Sequence, residues 1–504
     1  MKMFRKCFLF LVLSISLPVF AQDAPVRITI LHVNDVYQFL PVDKGERGGL
    51  ARLMTIRKDM LEDNPKNTIF TMGGDTISPS AESIEFKGAQ MIDAWNMVGI
   101  DFAVFGNHEF DFKSAELLKR MAESKFKWLG ANVWDTNSKK IFADLPEYEV
   151  KTIDGVKIGF IGLLLPDTKK TSRMDAWLEV NNVCDTAKKI VPKMRAAGIN
   201  TVVALTHLSM SEDKELAGCA DIDLILGGHE HTLLQSSANG TPIFKMTADA
   251  REVGKFDLFI ERKTGKLRSM NWEVIPVNSR VTDDPEFIGI LTKYKAKLVE
   301  LAVRIGYTSV EMDATSLSSR TRETNIGNFL ADIYRDAVKA DAALINGGGI
   351  RADFLYEPGP LAKRDVLSIM PFNNQIVKLK MNGKLLREVL EYAVSRSAED
   401  QEPGQFPQVS GFSFTFDASK PVGSRIVDIR GPNCKTFDEN TEFTLATSNY
   451  LFTGGDGYAV LKKASPVGTL ADAPMEIPAF ETAIKNSPKK TIAPRVEGRI
   501  IRVN

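Results

Sequence analysis

What the sequence lacks narrows it first. Lysine plus arginine balances aspartate plus glutamate at 64 each, and no block is basic enough to track a nucleic-acid backbone. A nucleic-acid polymer is therefore not an expected partner. Beyond the N-terminus no stretch is long and apolar enough to span a bilayer, so stable membrane insertion is not expected. No internal repeat or low-complexity tract stands out. The 4 cysteines lack the spacing of a zinc knuckle. Histidine is the scarcest informative residue, with 5 in the chain, so where each one falls carries weight. At 504 residues the chain is too long for one hydrophobic core and implies two or more domains.

The N-terminus reads as a processing signal. Lys2, Arg5 and Lys6 precede an apolar run from Phe8 to Val19, and Val19-Phe20-Ala21 offers small residues at cleavage positions before Gln22. Residues 1–21 are read as a cleaved secretory signal. The competing reading, an uncleaved anchor helix, meets a run that is short for spanning. Cys7 precedes the apolar run instead of marking the cleavage point, which argues against a lipoprotein. Without Lys2, Arg5 and Lys6 the remaining chain has a formal charge of −3. The expected location is periplasmic or secreted. Of Cys184, Cys219 and Cys434 at least one must be unpaired. An oxidising compartment permits a Cys184–Cys219 bond if the two are adjacent. Burial as small apolar side chains is the favoured reading.

The chain is organised around Met72 to Asp111. TIFTM runs into GGDTISPS, which holds Asp75, and DFAVF runs into GNHEFDF, which holds Asn107, His108 and Asp111. Short apolar runs ending in turns read as buried strands. Open α/β sheets put their chemistry just past the C-terminal ends of strands. The pattern recurs at Asp35 after ITILHVN, at His207 after TVVALT, and at His229 and His231 after DLILGG. His32 lies inside the first strand and reads as core or a support for the cluster. Imidazole and carboxylate together suit Zn, Mn or Fe better than Ca.

Periodicity places helices at Leu50–Leu61, Ala89–Val98, Ser114–Ser124, Asn182–Ala197, Thr324–Ala340, Leu385–Ser395 and Pro478–Lys485. Strands are expected at Val26–Val33, Trp128–Val133, Val156–Leu165, Gly254–Glu261, Leu267–Val277, Ala342–Ile345, Val377–Met381 and Phe443–Thr447, with a hairpin turn at Asp154-Gly155 and a turn at Gly383. The fold class is α/β, two sheets sandwiched by helices. Asp283 to Leu301 is polar with helical spacing, and the domain boundary is placed there.

These motifs resemble the 5'-nucleotidase family of dinuclear metallophosphoesterases, whose pattern runs D-x-H, GGD, GNHEFD, a strand-end histidine and GHxH. The resemblance extends through NGGGIR, MPFNN and FTGGDGY. It implies a four-layered α/β/β/α metallophosphoesterase domain over 26–285, a linker helix over 286–305 acting as a hinge, and an α/β substrate-binding domain over 306–504. It implies two divalent or mixed-valence metal ions, one on Asp35, Asp75 and His231, the other on Asp75, Asn107, His207 and His229. Asp75 would bridge them. Alternation in His229-Glu230-His231 would aim both imidazoles to one side of an extended loop. Glu230 reads as a solvated or supporting group.

One departure stands out: Asp35-Val36-Tyr37 replaces D-x-H. Either Tyr37 ligates through its phenolate, favouring a harder ion such as Fe(III), or it packs and water or Gln38 completes the shell. His108 paired to Asp111 is the catalytic dyad candidate, with a helix cap as the bland alternative for Asp111. In the C-terminal half, Arg320 and Arg351 would hold phosphate-like groups, and either Arg320 or Arg322 is a solvated charge. The glycine loop at Asn346 allows close backbone approach to a ligand. By resemblance Phe372 and Tyr450 clamp a nucleobase. Asn374 and Asp456 would bond the base edge and ribose. Core packing is the alternative for both aromatics.

The expected activity is hydrolysis of nucleoside 5'-phosphates to nucleoside and phosphate by in-line attack of metal-bound hydroxide. Alternatives are a nucleoside diphosphate-sugar hydrolase, a cyclic-nucleotide phosphodiesterase, or a noncatalytic nucleotide-binding or adhesive surface protein.

Overall fold

The computed structural model describes residues 24–397, 402–431 and 438–504. The N-terminal signal reading and Cys434 lie outside these residues.

The N-terminal half is built on two six-stranded sheets. In chain order their strands are β1 (Val26–Val33), β2 (Thr68–Met72), β3 (Phe102–Val104), β4 (Lys127–Leu129), β5 (Glu149–Ile153), β6 (Val156–Leu164), β7 (Thr201–His207), β8 (Leu224–Gly227), β9 (Leu234–Ala238), β10 (Thr241–Lys245), β11 (Glu252–Ile260) and β12 (Leu267–Pro276). The first sheet runs β12-β11-β1-β2-β3-β4, the second β9-β10-β8-β7-β6-β5. Strands β1 to β4 are parallel, as are β10, β8, β7 and β6. Their C-terminal ends therefore open on the same side of each sheet.

Ile28, Ile30, Val104, Phe160, Leu205 and Phe256 form part of a fully buried core to which both sheets contribute. Each such side chain contributes about 1.5–3 kcal/mol on burial. Helices Leu50–Asp63, Ala89–Val98, Lys113–Glu123 and Val183–Ala196 fall within two residues of the expected spans. Asn182 caps the last of these by accepting from the Asp185 amide. The Asp154-Gly155 hairpin forms, with φ of 48° and 86°.

The linker segment becomes a short 3-10 turn at Pro285–Phe287 and a helix at Ile288–Leu301. Beyond it a five-stranded sheet carries the C-terminal half: β13 (Ala342–Asn346), β14 (Ile376–Asn382), β15 (Pro407–Ser410), β16 (Glu442–Ser448) and β17 (Ser465–Pro466), in the order β15-β13-β16-β14-β17. Helices Asn325–Ala337, Gly383–Ala393 and Glu476–Asn486 flank it.

Several expectations need correction. The run Trp128–Val133 is two strands, Lys127–Leu129 and Val133–Asp135, because the chain turns between them. A Cβ at Gly130 would lie 2.5 Å from the Phe105 ring. Gly383 opens a helix instead of forming a turn. Asn382 caps that helix through the Leu385 amide. Cys184 and Cys219 are not free buried thiols but a disulfide joining helices Val183–Ala196 and Met210–Cys219. Spacing along the chain had given no distance between them.

Candidate active site

The parallel strands deliver their polar residues to one place. Asp35 follows β1, Asp75 follows β2, Asn107 and His108 follow β3, His207 ends β7, and His229 and His231 follow β8. Asp35, Asp75, His229 and His231 all have positive φ, at 53°, 60°, 92° and 55°. Such backbone is costly for non-glycine residues and clusters at functional sites. It also corrects the expected extended alternation at His229-Glu230-His231, whose two histidines sit in left-handed or related turns.

The first two carboxylates are almost fully buried. Asp35 Oδ2 accepts from Asn34 Nδ2 at 2.8 Å and from the His229 amide at 2.9 Å. Its Oδ1 lies 3.4 Å from His231 Nε2. Asp75 Oδ1 accepts from the His108 amide at 2.8 Å, and Oδ2 lies 3.2 Å from His207 Nε2. Burial alone would raise the Asp35 carboxyl, but the hydrogen bond from His231 and the charge of His207 outweigh it and hold it at about 2. Asp75 is likewise pushed up by burial and pulled further down by His207 and His108. Gly106 is obligatory here, since a Cβ would lie 2.1 Å from Asp75 Oδ1.

The donors fit metal ions. Ligand atoms of Asp35, Asp75 and His207 lie within 4.8 Å of one another. His207 donates from Nδ1 to the Gly73 carbonyl at 2.8 Å, so Nε2 is the ring nitrogen left to face the cluster. Asn107 Oδ1 is a buried polar atom without a hydrogen-bond partner, and the buried His207 Nε2 meets only the Asp75 carboxylate, at 3.2 Å. Buried atoms so short of partners need an explanation, and a cation between them supplies one. His229 is driven far below the ordinary histidine range by burial and by His207, so it stays a neutral donor.

Tyr37 sits inside the cluster. Its hydroxyl is 2.8 Å from His231 Nε2, 3.2 Å from Asp75 Oδ2 and 3.3 Å from Asp35 Oδ1. Burial and the charges of Asp75 and Asp35 raise this phenol well above 10. His32 is fully buried, bonded to Thr71 Oγ1 and the Gly227 carbonyl, and burial lowers it to about 4, in keeping with a core role.

His108 Nδ1 lies 2.7 Å from Asp111 Oδ2. Asp111 does not cap the following helix, whose N-cap is Phe112. The same His108 ring has Phe372 parallel to it, at 5.9 Å between centroids, and Arg351 Nη2 at 3.2 Å from Nε2. The two halves of the chain therefore meet at His108.

They enclose a cavity of about 340 Å³ lined by Asp75, Asn107, His108, Asp111, His229 and His231 from one half. The other half contributes Arg320, Asn346, Arg351, Phe372, Asn374, Tyr450 and Asp456. Arg320 Nε has no hydrogen-bond partner, whereas Arg322 is the solvated charge, paired with Asp313. The glycine loop packs tightly: a Cβ on Gly347 would lie 2.1 Å from the Ser319 carbonyl. Asn346 donates to Asp456 Oδ2 at 2.6 Å. Phe372 and Tyr450 are half-buried and line the cavity, and Tyr450 also packs against the core of the C-terminal half.

Sequence reasoning missed several residues. Glu109 accepts from the amides of Asp75, Thr76, Ile77 and Gly106 and so ties GGD to GNH. Burial and the Asp75 charge push it up to about 7. Its place inside GNHE was the only signal. Arg173 reaches across to the Phe372 carbonyl at 3.1 Å and Asn374 Oδ1 at 2.9 Å, and the Tyr450 hydroxyl lies 2.9 Å from the Lys170 carbonyl. Glu476, fully enclosed, accepts from Asn374 Nδ2 and so fixes that amide's orientation.

Residues 28–233 match the family model of calcineurin-like phosphoesterases, and residues 304–463 match that of the 5'-nucleotidase C-terminal domain. The chain is 31% identical, over 96% of its length, to the trifunctional nucleotide phosphoesterase protein YfkN of Bacillus subtilis, of which it spans 35%. It is 27% identical to a snake venom 5'-nucleotidase of Gloydius brevicauda, covering 94% of this chain and 88% of that one. The crystal structure of a 5'-nucleotidase precursor from Thermus thermophilus aligns with a TM-score of 0.87 at 26% identity, covering 95% of this chain and all of that one. Fold and site thus define an enzyme of the metallophosphoesterase class. Within that class the chain belongs to the 5'-nucleotidase family, both halves matching in sequence order.

Proposed function

We propose that this protein hydrolyses nucleoside 5'-phosphates to nucleoside and phosphate. The supporting observation is the single cavity that joins the Asp75–Asn107–His229 cluster to Arg320, Arg351, Phe372 and Tyr450. Asp35, Asp75 and His231, with Tyr37 beside them, would hold one transition-metal ion, Zn, Mn or Fe. Asp75, Asn107, His207 and His229 would hold the other. Bound there, such ions supply Lewis acidity at phosphoryl oxygens and ease deprotonation of water.

The chain's own groups do the rest. Asp111 accepts from His108 Nδ1–H, which fixes the tautomer and leaves Nε2 toward the cavity. It also stabilises the imidazolium, which can place a proton on a phosphoryl or leaving oxygen. Arg351, now spanning His108 and Tyr37, turns its planar donors to the phosphate. Arg320 adds charge. Phe372 and Tyr450 offer π-faces to the base, Asp456 and Asn346 acceptors and donors to the ribose, and Asn374 an oxygen to the base edge. Domain limits at 285 and 306, with a hinge in the intervening helix, complete the reading. The basic and apolar N-terminus supports export, and among the described residues no helix is long and apolar enough to cross a membrane.

The test is a panel of nucleoside 5'-monophosphates, a nucleoside diphosphate-sugar and a cyclic nucleotide, before and after chelation and Mn²⁺ or Zn²⁺ return. The proposal expects metal-dependent release of phosphate from the monophosphates. Turnover confined to the diphosphate-sugar or the cyclic nucleotide would overturn it.

A further inference from the structure

A fully buried lysine lies behind the cluster and takes no part in the chemistry above. Lys245 ends β10, opposite Gly227 of β8 in parallel register. Its side chain is 0% exposed. The ammonium reaches three groups, two on the stretch that follows His207 and one on the His229–His231 loop. It pairs with Asp213 Oδ2 at 2.9 Å, on helix Met210–Cys219. It donates to Glu230, the residue between His229 and His231. It also donates to the carbonyl of Leu208, the residue after His207.

Each contact is itself braced. Asp213 Oδ1 accepts from Thr206 Oγ1 at 2.7 Å, and Thr206 precedes His207. Glu230 also accepts from the Met210 amide at the start of the same helix. The helix is stapled at its far end by the Cys184–Cys219 disulfide. Burying an ammonium is expensive unless paired charges and hydrogen bonds compensate it, so its retention here asks for a reason. The backbone at His229 and His231 gives one. Both residues hold positive φ, a conformation that persists only when neighbours over-determine it.

We propose that Lys245 is a positioning residue for the metal site, tying the His229–His231 loop through Glu230 to the His207 strand end and so setting the spacing of the imidazoles. Partners of this kind behind the ligands typically change metal affinity by about 10–100-fold when removed. The inference rests on the metal-dependent reading of the site.

Titration of chelator-stripped protein with Mn²⁺ alone, followed by calorimetry and by the rise in Tm on loading, tests it. Glu230→Gln keeps the shape and the Lys245–Asp213 pair while removing the charged tie. It should weaken Mn²⁺ binding by about 10–100-fold and shrink the metal-induced rise in Tm, with the Tm of stripped protein near wild type. Lys245→Met should do the same more severely. Should Lys245→Met not fold, Glu230→Gln decides alone. Glu212→Gln is the control: Glu212 caps the same helix at Ser209 but does not touch Lys245, and should leave Mn²⁺ affinity unchanged. Wild-type affinity in folded Glu230→Gln, or equal losses in Glu212→Gln, would overturn the tie. A wild-type protein that binds no Mn²⁺ or Zn²⁺ would instead overturn the metal reading itself.

Discussion

The two walls of the cavity are built on different principles. On the cluster side, Asp35, Asp75 and His207 are buried at 0–1% exposure, their backbones are constrained, and nearly every polar atom is held by a second group. On the opposite wall, Phe372 and Tyr450 are half-buried, Arg320 extends from the short helix Ser316–Thr321, and Arg351 extends from a loop. The first arrangement fixes atoms to the tolerance that charge stabilisation in a transition state requires. The second offers area and donors that adapt to a ligand. Damage on the cluster side should therefore fall on turnover for every phosphate ester. Damage on the opposite wall should fall on discrimination between esters.

The largest effect should come where the walls meet. His108→Asn should lower kcat by about 10²–10⁴-fold on nucleotides and generic phosphate esters alike, the usual range for an acid–base group. Metal content, measured on the purified variant, should stay close to wild type, because the His108 side chain comes no nearer Asp75 than 3.9 Å and the backbone amide bond to Asp75 survives the substitution. Near-normal turnover in metal-loaded protein would remove His108 from the chemistry.

Next comes the aromatic pair. Phe372→Ala and Tyr450→Ala should each cost about 1–3 kcal/mol of nucleotide recognition, read as kcat/KM, while sparing a small ester without a base. Tyr450→Phe keeps the ring and removes only the bonds to Lys170 and Asp456, so it should sit nearer wild type. Equal losses on both substrate types would erase the contrast between the walls.

Stability separates them in another way. A Cys184→Ser, Cys219→Ser pair opens a link across 35 residues remote from the cavity. Unfolding in denaturant should show a loss of about 2–4 kcal/mol, with kcat/KM little changed at a temperature where the variant stays folded. A large loss of activity would mean that the stapled helix carrying Asp213 governs the cluster more directly than the geometry implies.

The contrast also explains what was legible. Asp35, Asp75, Asn107, His207, His229 and His231 were readable because each ends a short apolar run, and the strand pattern dictates that such residues converge. The helices were readable from their stripes. The Cys184–Cys219 bond was not, since spacing says nothing about two helices packing side by side. The turns at His229 and His231 were not, because the left-handed backbone there is imposed by contacts with Asp35 and with the Glu230–Lys245 pair from elsewhere in the chain. Arg173 and Glu476 act across long separations on Asn374, and no local motif announces them.

The smallest expected effect is at Tyr37, where the sequence leaves its family pattern and the two readings can be separated. The hydroxyl lies within 3.3 Å of Asp35, Asp75 and His231, a position suited either to donating a hydrogen bond or to meeting a cation. Burial and two carboxylates raise the phenol well above its ordinary range, which favours the neutral donor until a strong cation reverses that balance. The ring also carries a packing role, with Arg351 5.6 Å from its centroid. Tyr37→Phe preserves that packing and removes only the oxygen. As a donor, Tyr37 contributes one hydrogen bond to charged acceptors, and its loss should change turnover by less than about 10-fold, with metal content retained. As a phenolate ligand it would give iron-loaded protein a visible charge-transfer band that Tyr37→Phe abolishes, together with preferential loss of one ion to chelator. A colourless iron-loaded wild type with both ions held equally in Tyr37→Phe would settle on the donor. Tyr37→His restores the family residue, and tighter Zn binding in that variant would show that the ion beside Asp35 and His231 is the one the tyrosine leaves short of nitrogen.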